Sequence, residues 1–247
     1  METLELILHE AKAHALKASP FLAVFDLDST LFDLTLRVSQ IVDEFAESPL
    51  YRERFPKECA DLKRIEILAT DWGIGEGLVR LGLQQEKCAE FWKALHDHWA
   101  AAFFSNDYLH HDEPLPGAVE FVLELRKLGA HIMYLTGRDI PRMYEGTEKS
   151  LLARGFPVDP VDARLVLKPE APLDDARFKV DVLKEAEKTY DRIWLFENEP
   201  VNTNLVAKEC PRIGIVFIET THSGREQPDP SVAKIAHFDS WPRQMKS

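Results

Sequence analysis

Asp26 and Asp28 stand one residue apart at the end of the apolar run FLAVF, and polar residues of other chemistry stand at the ends of later runs. Thr136 follows His131–Leu135, Glu197 follows Ile193–Phe196, and Lys179 lies just inside the helix-like segment between them. Residues two apart on an extended chain point the same way, so Asp26 and Asp28 can face one ligand. Open α/β sheets build their sites at the carboxyl ends of parallel strands. A carboxylate pair, a hydroxyl, an ammonium and a further carboxylate gathered there suit metal-assisted phosphoryl chemistry. Lys168 competes with Lys179 for the ammonium role, but it precedes Pro169 and reads as a loop residue.

The elements that must position these groups follow from periodicity. From Pro114 onward strand and helix patterns alternate. LPGAVEFVLELRKLGA is a Pro-started, Gly-ended helix and HIMYL a strand; then come a helix near Pro141–Ala153, a strand at Leu165–Leu167 and a helix near Asp175–Tyr190. RIWLF, a helix from Pro200 and the strand Ile213–Ile218 complete the series. Such alternation predicts a parallel sheet with right-handed helical crossovers, a three-layer Rossmann-like α/β core. Between the first strand and Pro114 the signal is helical: Leu34–Glu47, Lys57–Thr70 and Gln84–Phe104 carry apolar residues at three- and four-residue spacing. That interruption is far longer than a usual connection. It reads as an inserted helical cap over 33–113, with 1–32 and 114–247 forming the catalytic core. WGIGEGLVRLG follows no sheet strand, so it reads as a bend between cap helices and not as a phosphate loop.

Composition bounds the partners. The 247 residues, 45% of them hydrophobic, suffice for a full core. A net charge of −12 argues against nucleic acid, which needs a concentrated basic surface. No apolar run reaches membrane-spanning length, and the N-terminus, with Glu2 and Glu5, lacks the positive start of a signal peptide. Cys59, Cys88 and Cys210 have neither disulfide nor zinc spacing and read as small apolar residues of a reducing compartment. A cytoplasmic protein is expected; composition leaves its oligomeric state open.

FDLDSTL, YLTGR, the lysine of FKVDVL and FENEPVN together resemble, in order, the motifs of the haloacid dehalogenase superfamily, in its phosphatase branch with a helical cap after the first motif. The resemblance runs from about Phe21 to Ile218. It implies that Asp26 is the nucleophile, forming an aspartyl phosphate, and that Asp28 protonates the leaving oxygen and then activates water. It further implies that Thr136 and Lys179 hold the phosphoryl oxygens, with Gly137 and Arg138 beside the substrate. Mg²⁺ would be held by Asp26, the backbone carbonyl of Asp28 and Glu197, with Asn198 next in line. The fourth motif departs from the family, whose pattern has two aspartates: here stand Glu197, Asn198, Glu199 and Asn202. The expected activity is hydrolysis of a small phosphorylated metabolite or nucleotide. Two alternatives are a catalytically impaired module that binds a phosphorylated ligand and a dehalogenase, the latter disfavoured by Asp28 and Glu197.

Blander readings stand beside each assignment. Taken alone, Asp28 and Thr136 suit caps and turns, and Arg138 suits a pairing with a cap acid or a surface salt bridge as well as a substrate contact. His96 and His98, two apart on a helix, cannot share a face. His110 and His111 read as a solvated loop at the return from the cap.

Overall fold

The computed structural model describes residues 2–241; residues 1 and 242–247, assigned above to the core, lie outside the described residues. In chain order come α1 (Thr3–Leu16), β1 (Phe21–Phe25), β2 (Phe32–Asp33), α2 (Thr35–Glu47), α3 (Pro49–Arg54), α4 (Pro56–Leu62), α5 (Gly75–Arg80) and α6 (Ala89–Phe103). A single 3₁₀ turn, Leu109–His111, leads to β3 (Glu113–Pro114). The second half holds α7 (Ala118–Lys127), β4 (His131–Asp139), α8 (Ile140–Ala153), β5 (Ala163–Lys168), α9 (Asp175–Ala186), β6 (Arg192–Glu197), α10 (Pro200–Glu209), β7 (Gly214–Ile218) and β8 (Ala233–Ile235).

Six strands form one sheet in the order β5-β4-β1-β6-β7-β8, every neighbouring pair parallel. β1 is central and buried on both faces, which is why FLAVF is apolar without alternation. Its side chains divide between two layers. Phe21, Ala23 and Phe25 pack with residues of α1 and α7, while Leu22 and Val24 pack with Val180 and Leu183 of α9 and Val206 of α10. Helices on both faces make this a three-layer Rossmann-like core.

Register sets the site. Phe25 pairs with Phe196, and the Asp26 amide then donates to the Phe196 carbonyl at 3.0 Å, so Asp26 emerges beside the end of β6 where Glu197 stands. β4 runs past the expected Leu135 to Asp139, with its register shifting between Thr136 and Asp139.

The helices α2 to α6 occupy the chain between β2 and β3, which pair antiparallel with Asp33 opposite Glu113. Chain thus leaves and returns at one point. These helices share an apolar cluster of their own, including Val42, Phe45, Leu62, Leu78, Phe91 and Leu95. Two details differ from the sequence reading. The helix expected over Lys57–Thr70 ends at Leu62; beyond it Ile65 and Ile67 both rest on Gly77, where an added Cβ would lie 3.2 Å from either side chain. The bend expected in WGIGEGLVRLG contains the short helix α5. At the far edge of the sheet, β8 pairs with β7. Among the described residues no helix is long and apolar enough to cross a membrane.

Candidate active site

A cavity of about 380 Å³ opens at the carboxyl end of β1 and β6 and is walled on its other side by residues of α2, α6 and the loop after α4. Its floor holds Asp26, Asp28, Gly137, Arg138, Lys179, Glu197 and Asn198. Seven residues that the motifs single out therefore meet at one sheet edge. Thr136 does not line the cavity: it is buried in β4, and its Oγ1 accepts from the Arg138 amide at 3.2 Å.

Lys179 is the centre of one half of the floor. It projects from the first turns of α9, whose start is capped by Asp174 accepting from the Arg177 amide. Its buried Nζ donates to Asp26 Oδ1 and to Glu197 Oε2, each at 2.6 Å. One cation thus serves two acids. Burial drives the Asp26 carboxyl upward, Lys179 opposes it, and the nearby charges of Glu197 and Asp28 add to the rise, leaving it at about 7. Burial would lower the Lys179 ammonium, but the two carboxylates hold it above its ordinary range. Asp26 Oδ2 carries no hydrogen bond from the described residues and is the open acceptor of this half.

Glu197 has no such open position. Oε1 accepts from the amides of Asn198 and Glu199, both at 3.0 Å, and Oε2 accepts from Lys179 and from Asn202 Nδ2 at 3.1 Å. Four donors match the roughly four lone-pair sites of a carboxylate. Asn198 is also committed: Oδ1 accepts from Thr30 Oγ1 at 3.1 Å and Nδ2 donates to the Thr221 carbonyl at 2.6 Å. Glu199, part of the departing fourth motif, receives the Ser223 amide and hydroxyl at 2.9 and 2.8 Å and so ties the loop after β7 to this edge.

The other half centres on Asp28. The turn after Leu27 puts Ser29 in the left-handed region (φ 58°) and closes with the Ser29 amide donating to the Phe32 carbonyl. Arg138 donates to both Asp28 oxygens, at 2.6 and 3.1 Å, and Arg37 of α2 donates to Oδ1 at 2.7 Å. Arg138 also reaches Asp112 at 2.7 Å. Arg37 Nε lies 3.0 Å from Asp112 Oδ1 but off the hydrogen-bond axis, so the pair interacts through charge alone. Burial would raise the Asp28 carboxyl, yet Arg138 and Arg37 together hold it well below the usual carboxylate range. Sequence reading missed Arg37 and Asp112, because a lone arginine inside a helix and an acid in a His-rich return carry no motif. Arg138 is buried within this cluster and is no surface salt bridge.

Lys168, the rival ammonium, is turned away from Asp26. Its Nζ donates to the carbonyls of Ala171 and Leu173 and to Asp175 Oδ1, which fastens the loop between β5 and α9. Asp175 in turn presses on Gly137, where an added Cβ would meet its Oδ2 at 2.5 Å. The half-buried His98 meets the stacked rings of Phe45 and Tyr51 edge-on, a packing role and not a ligating one.

A hard cation requires oxygen donors and unbalanced negative charge. The Asp26–Lys179–Glu197 group supplies both, with Oδ2 of Asp26 as its open oxygen. No group of three or more His, Cys, Asp or Glu side chains among the described residues is arranged to hold a metal unaided. In kind these oxygens suit a hard cation, and Asp26 Oδ2 is the one that this group leaves open.

Comparison with known proteins bears on the family and the fold. The sequence pattern of the haloacid dehalogenase-like hydrolases matches residues 22–203. A Bacillus cereus protein described as "Putative nucleotidase" is 30% identical over 135 residues, covering 54% of this chain and 59% of that protein. This chain thus spans less than two thirds of that relative's length. Among solved structures, Mycobacterium tuberculosis Protein Tyrosine Kinase A (PtkA) superposes with a TM-score of 0.52 at 18% identity, covering 90% of this chain and 95% of that one. CbbY from Rhodobacter sphaeroides, in complex with phosphate, gives 0.50 at 14% identity, with 89% and 95% covered. At such identities the two structures speak for the fold alone.

Proposed function

The chain belongs to the haloacid dehalogenase-like hydrolases, and from that membership we propose a magnesium-dependent phosphomonoester hydrolase that works through an aspartyl-phosphate intermediate. The observation that carries this reading is the open Oδ2 of Asp26, in a carboxylate whose other oxygen Lys179 fixes at 2.6 Å. Asp26 Oδ2 attacks phosphorus while the bond from phosphorus to the ester oxygen breaks. The departing oxygen takes a proton from Asp28, and water later attacks the acyl phosphate as Asp28 takes a proton back, freeing phosphate and the Asp26 carboxylate. Lys179 screens the phosphoryl oxygens. Gly137 lies beside them in the cavity lining, and the buried Thr136 hydroxyl holds the Arg138 amide.

Asp28 cannot give a proton while two guanidiniums hold it charged. A bound phosphate dianion competes with Asp28 for Arg138 and so makes its carboxyl easier to protonate. This exchange also draws Arg138 to the substrate. Magnesium, when bound, offsets the negative charge shared by Asp26 and the phosphoryl oxygens. Asp26 and the Asp28 carbonyl would hold it, with Glu197 joining by releasing one of its four donors and Asn198 by releasing Thr30.

Residues 33–113 serve in this reading as a cap over the core formed by 1–32 and 114–247. The Asp33–Glu113 pairing supports it, since a segment entering and leaving at one point can move as a body. Closure would exclude bulk water. The substrate is a small phosphorylated metabolite or nucleotide, the second favoured by the nucleotidase description of the Bacillus relative. The free cysteines suit the cytoplasm. Release of phosphate from a panel of phosphomonoesters, with magnesium and with chelator, tests the proposal: metal-dependent turnover is expected, and full activity in chelator contradicts it. The saturation of Glu197 favours the impaired binding module as the second reading. Ligand binding without turnover at any magnesium concentration would select that alternative.

A further inference from the structure

The wall opposite Asp26 differs in chemistry from the floor. It consists of apolar and aromatic side chains from α2, α6 and the loop after α4, among them Trp72, Trp99, Phe103 and Phe104. Trp72 is 51% exposed and Phe104 37%, so both rings leave accessible area in the cavity lining. Three of these rings have defined neighbours. Trp99 stacks on Phe103 with centroids 4.6 Å apart, the Arg37 guanidinium lies 4.0 Å from the Phe103 centroid, and that of Arg142 lies 5.1 Å from the Phe104 centroid.

We infer that Trp72 is a specificity-determining residue that stacks on a flat heteroaromatic ring in the leaving group of a phosphate monoester. This rests on the phosphomonoester reading and adds the class of leaving group. A cavity of about 380 Å³ is much larger than a phosphate group requires, so the floor accounts for only part of it. The remainder meets ring faces, which reward a flat π-system more than an open-chain polyol. A nucleobase and the pyridine ring of a vitamin phosphate share this chemistry.

The test uses the full chain carrying Asp26→Asn, which keeps ligands intact, and measures binding by calorimetry. The probes are a nucleoside 5′-monophosphate, pyridoxal 5′-phosphate and ribose 5-phosphate. The ring-bearing ligands should bind about tenfold or more tighter than ribose 5-phosphate, in line with stacking on an exposed aromatic. Trp72→Ala in the same background should bring that ratio close to one, and Trp72→Phe should restore most of it. Which ring-bearing ligand binds more tightly identifies the source. Equal affinity for ribose 5-phosphate, or a ring preference that survives Trp72→Ala, overturns the inference. Because the readout is binding, a ring preference in a protein without phosphatase activity would sink the hydrolase reading while leaving the ring site standing.

Discussion

Asp26 and Asp28 are the same residue type, two positions apart, at one end of one strand, yet their surroundings drive them in opposite directions. Asp26 shares a single ammonium with Glu197 and has its carboxyl pushed up to about 7. Asp28 receives two guanidiniums, and these outweigh burial and hold it charged. The lesson is that neighbours from remote segments, and not the motif, divide the labour within it. For the proposed nucleophile and its acid–base partner this resting split is the reverse of what the first displacement needs, so bound phosphate must draw Arg138 away from Asp28 before the proton can be given.

Lys179→Ala should break the first half most severely. Without the ammonium, Asp26 and Glu197 repel across a buried gap, and turnover should fall by roughly a hundredfold to a thousandfold. Steady-state kinetics on the best substrate of the panel will show it, and a loss below tenfold would remove Lys179 from the machinery. Arg37→Met breaks the second half while keeping a side chain over Phe103. It leaves Asp112 and Asp28 with Arg138 alone, and should cost about 3–5 kcal/mol of stability in denaturant unfolding. Asp112→Asn in the same chain should recover part of that loss, since it removes the surplus buried charge.

The contrast also predicts how stability follows pH. A carboxyl raised in the folded state from the ordinary 3.8 to about 7 contributes stability that is full below 3.8 and is lost as pH rises through about 7. Asp28, depressed in the folded state, contributes stability above its ordinary value and gives it up only in strong acid. The Tm of metal-free protein should therefore decline from roughly pH 5 to roughly pH 8, and the decline should be smaller in Asp26→Asn. Equal slopes in both proteins would mean that Asp26 is not the titrating group.

Much of the first half was legible in the sequence, because each of its members ends or begins an element. Asp26 ends the run FLAVF, Glu197 ends RIWLF and Lys179 opens a capped helix, so strand order alone brings them to one edge. The preference for Lys179 over Lys168 was legible only through Pro169 and the helix position. Both lysines lie near the β5–α9 connection, and only the Asp175 contact shows that Lys168 is committed to the loop. The second half was hidden for the same kind of reason. Arg37 and Asp112 come from opposite ends of the inserted helices, and what unites them is the β2–β3 pairing, which two-residue strands do not announce. The turn structure of 63–74 was obscured too, since Ile65 and Ile67 fit a helical pattern until Gly77 offers them a closer surface.

The split between the two aspartates is tested most directly by trapping the enzyme in mid-reaction. A magnesium-loaded sample quenched in acid during turnover and digested for mass spectrometry should carry a phosphoryl group on the peptide containing Asp26. That label should vanish in Asp26→Asn, together with turnover by about ten-thousandfold or more. Turnover with no phosphoryl-enzyme, or turnover retained in Asp26→Asn, would contradict the account.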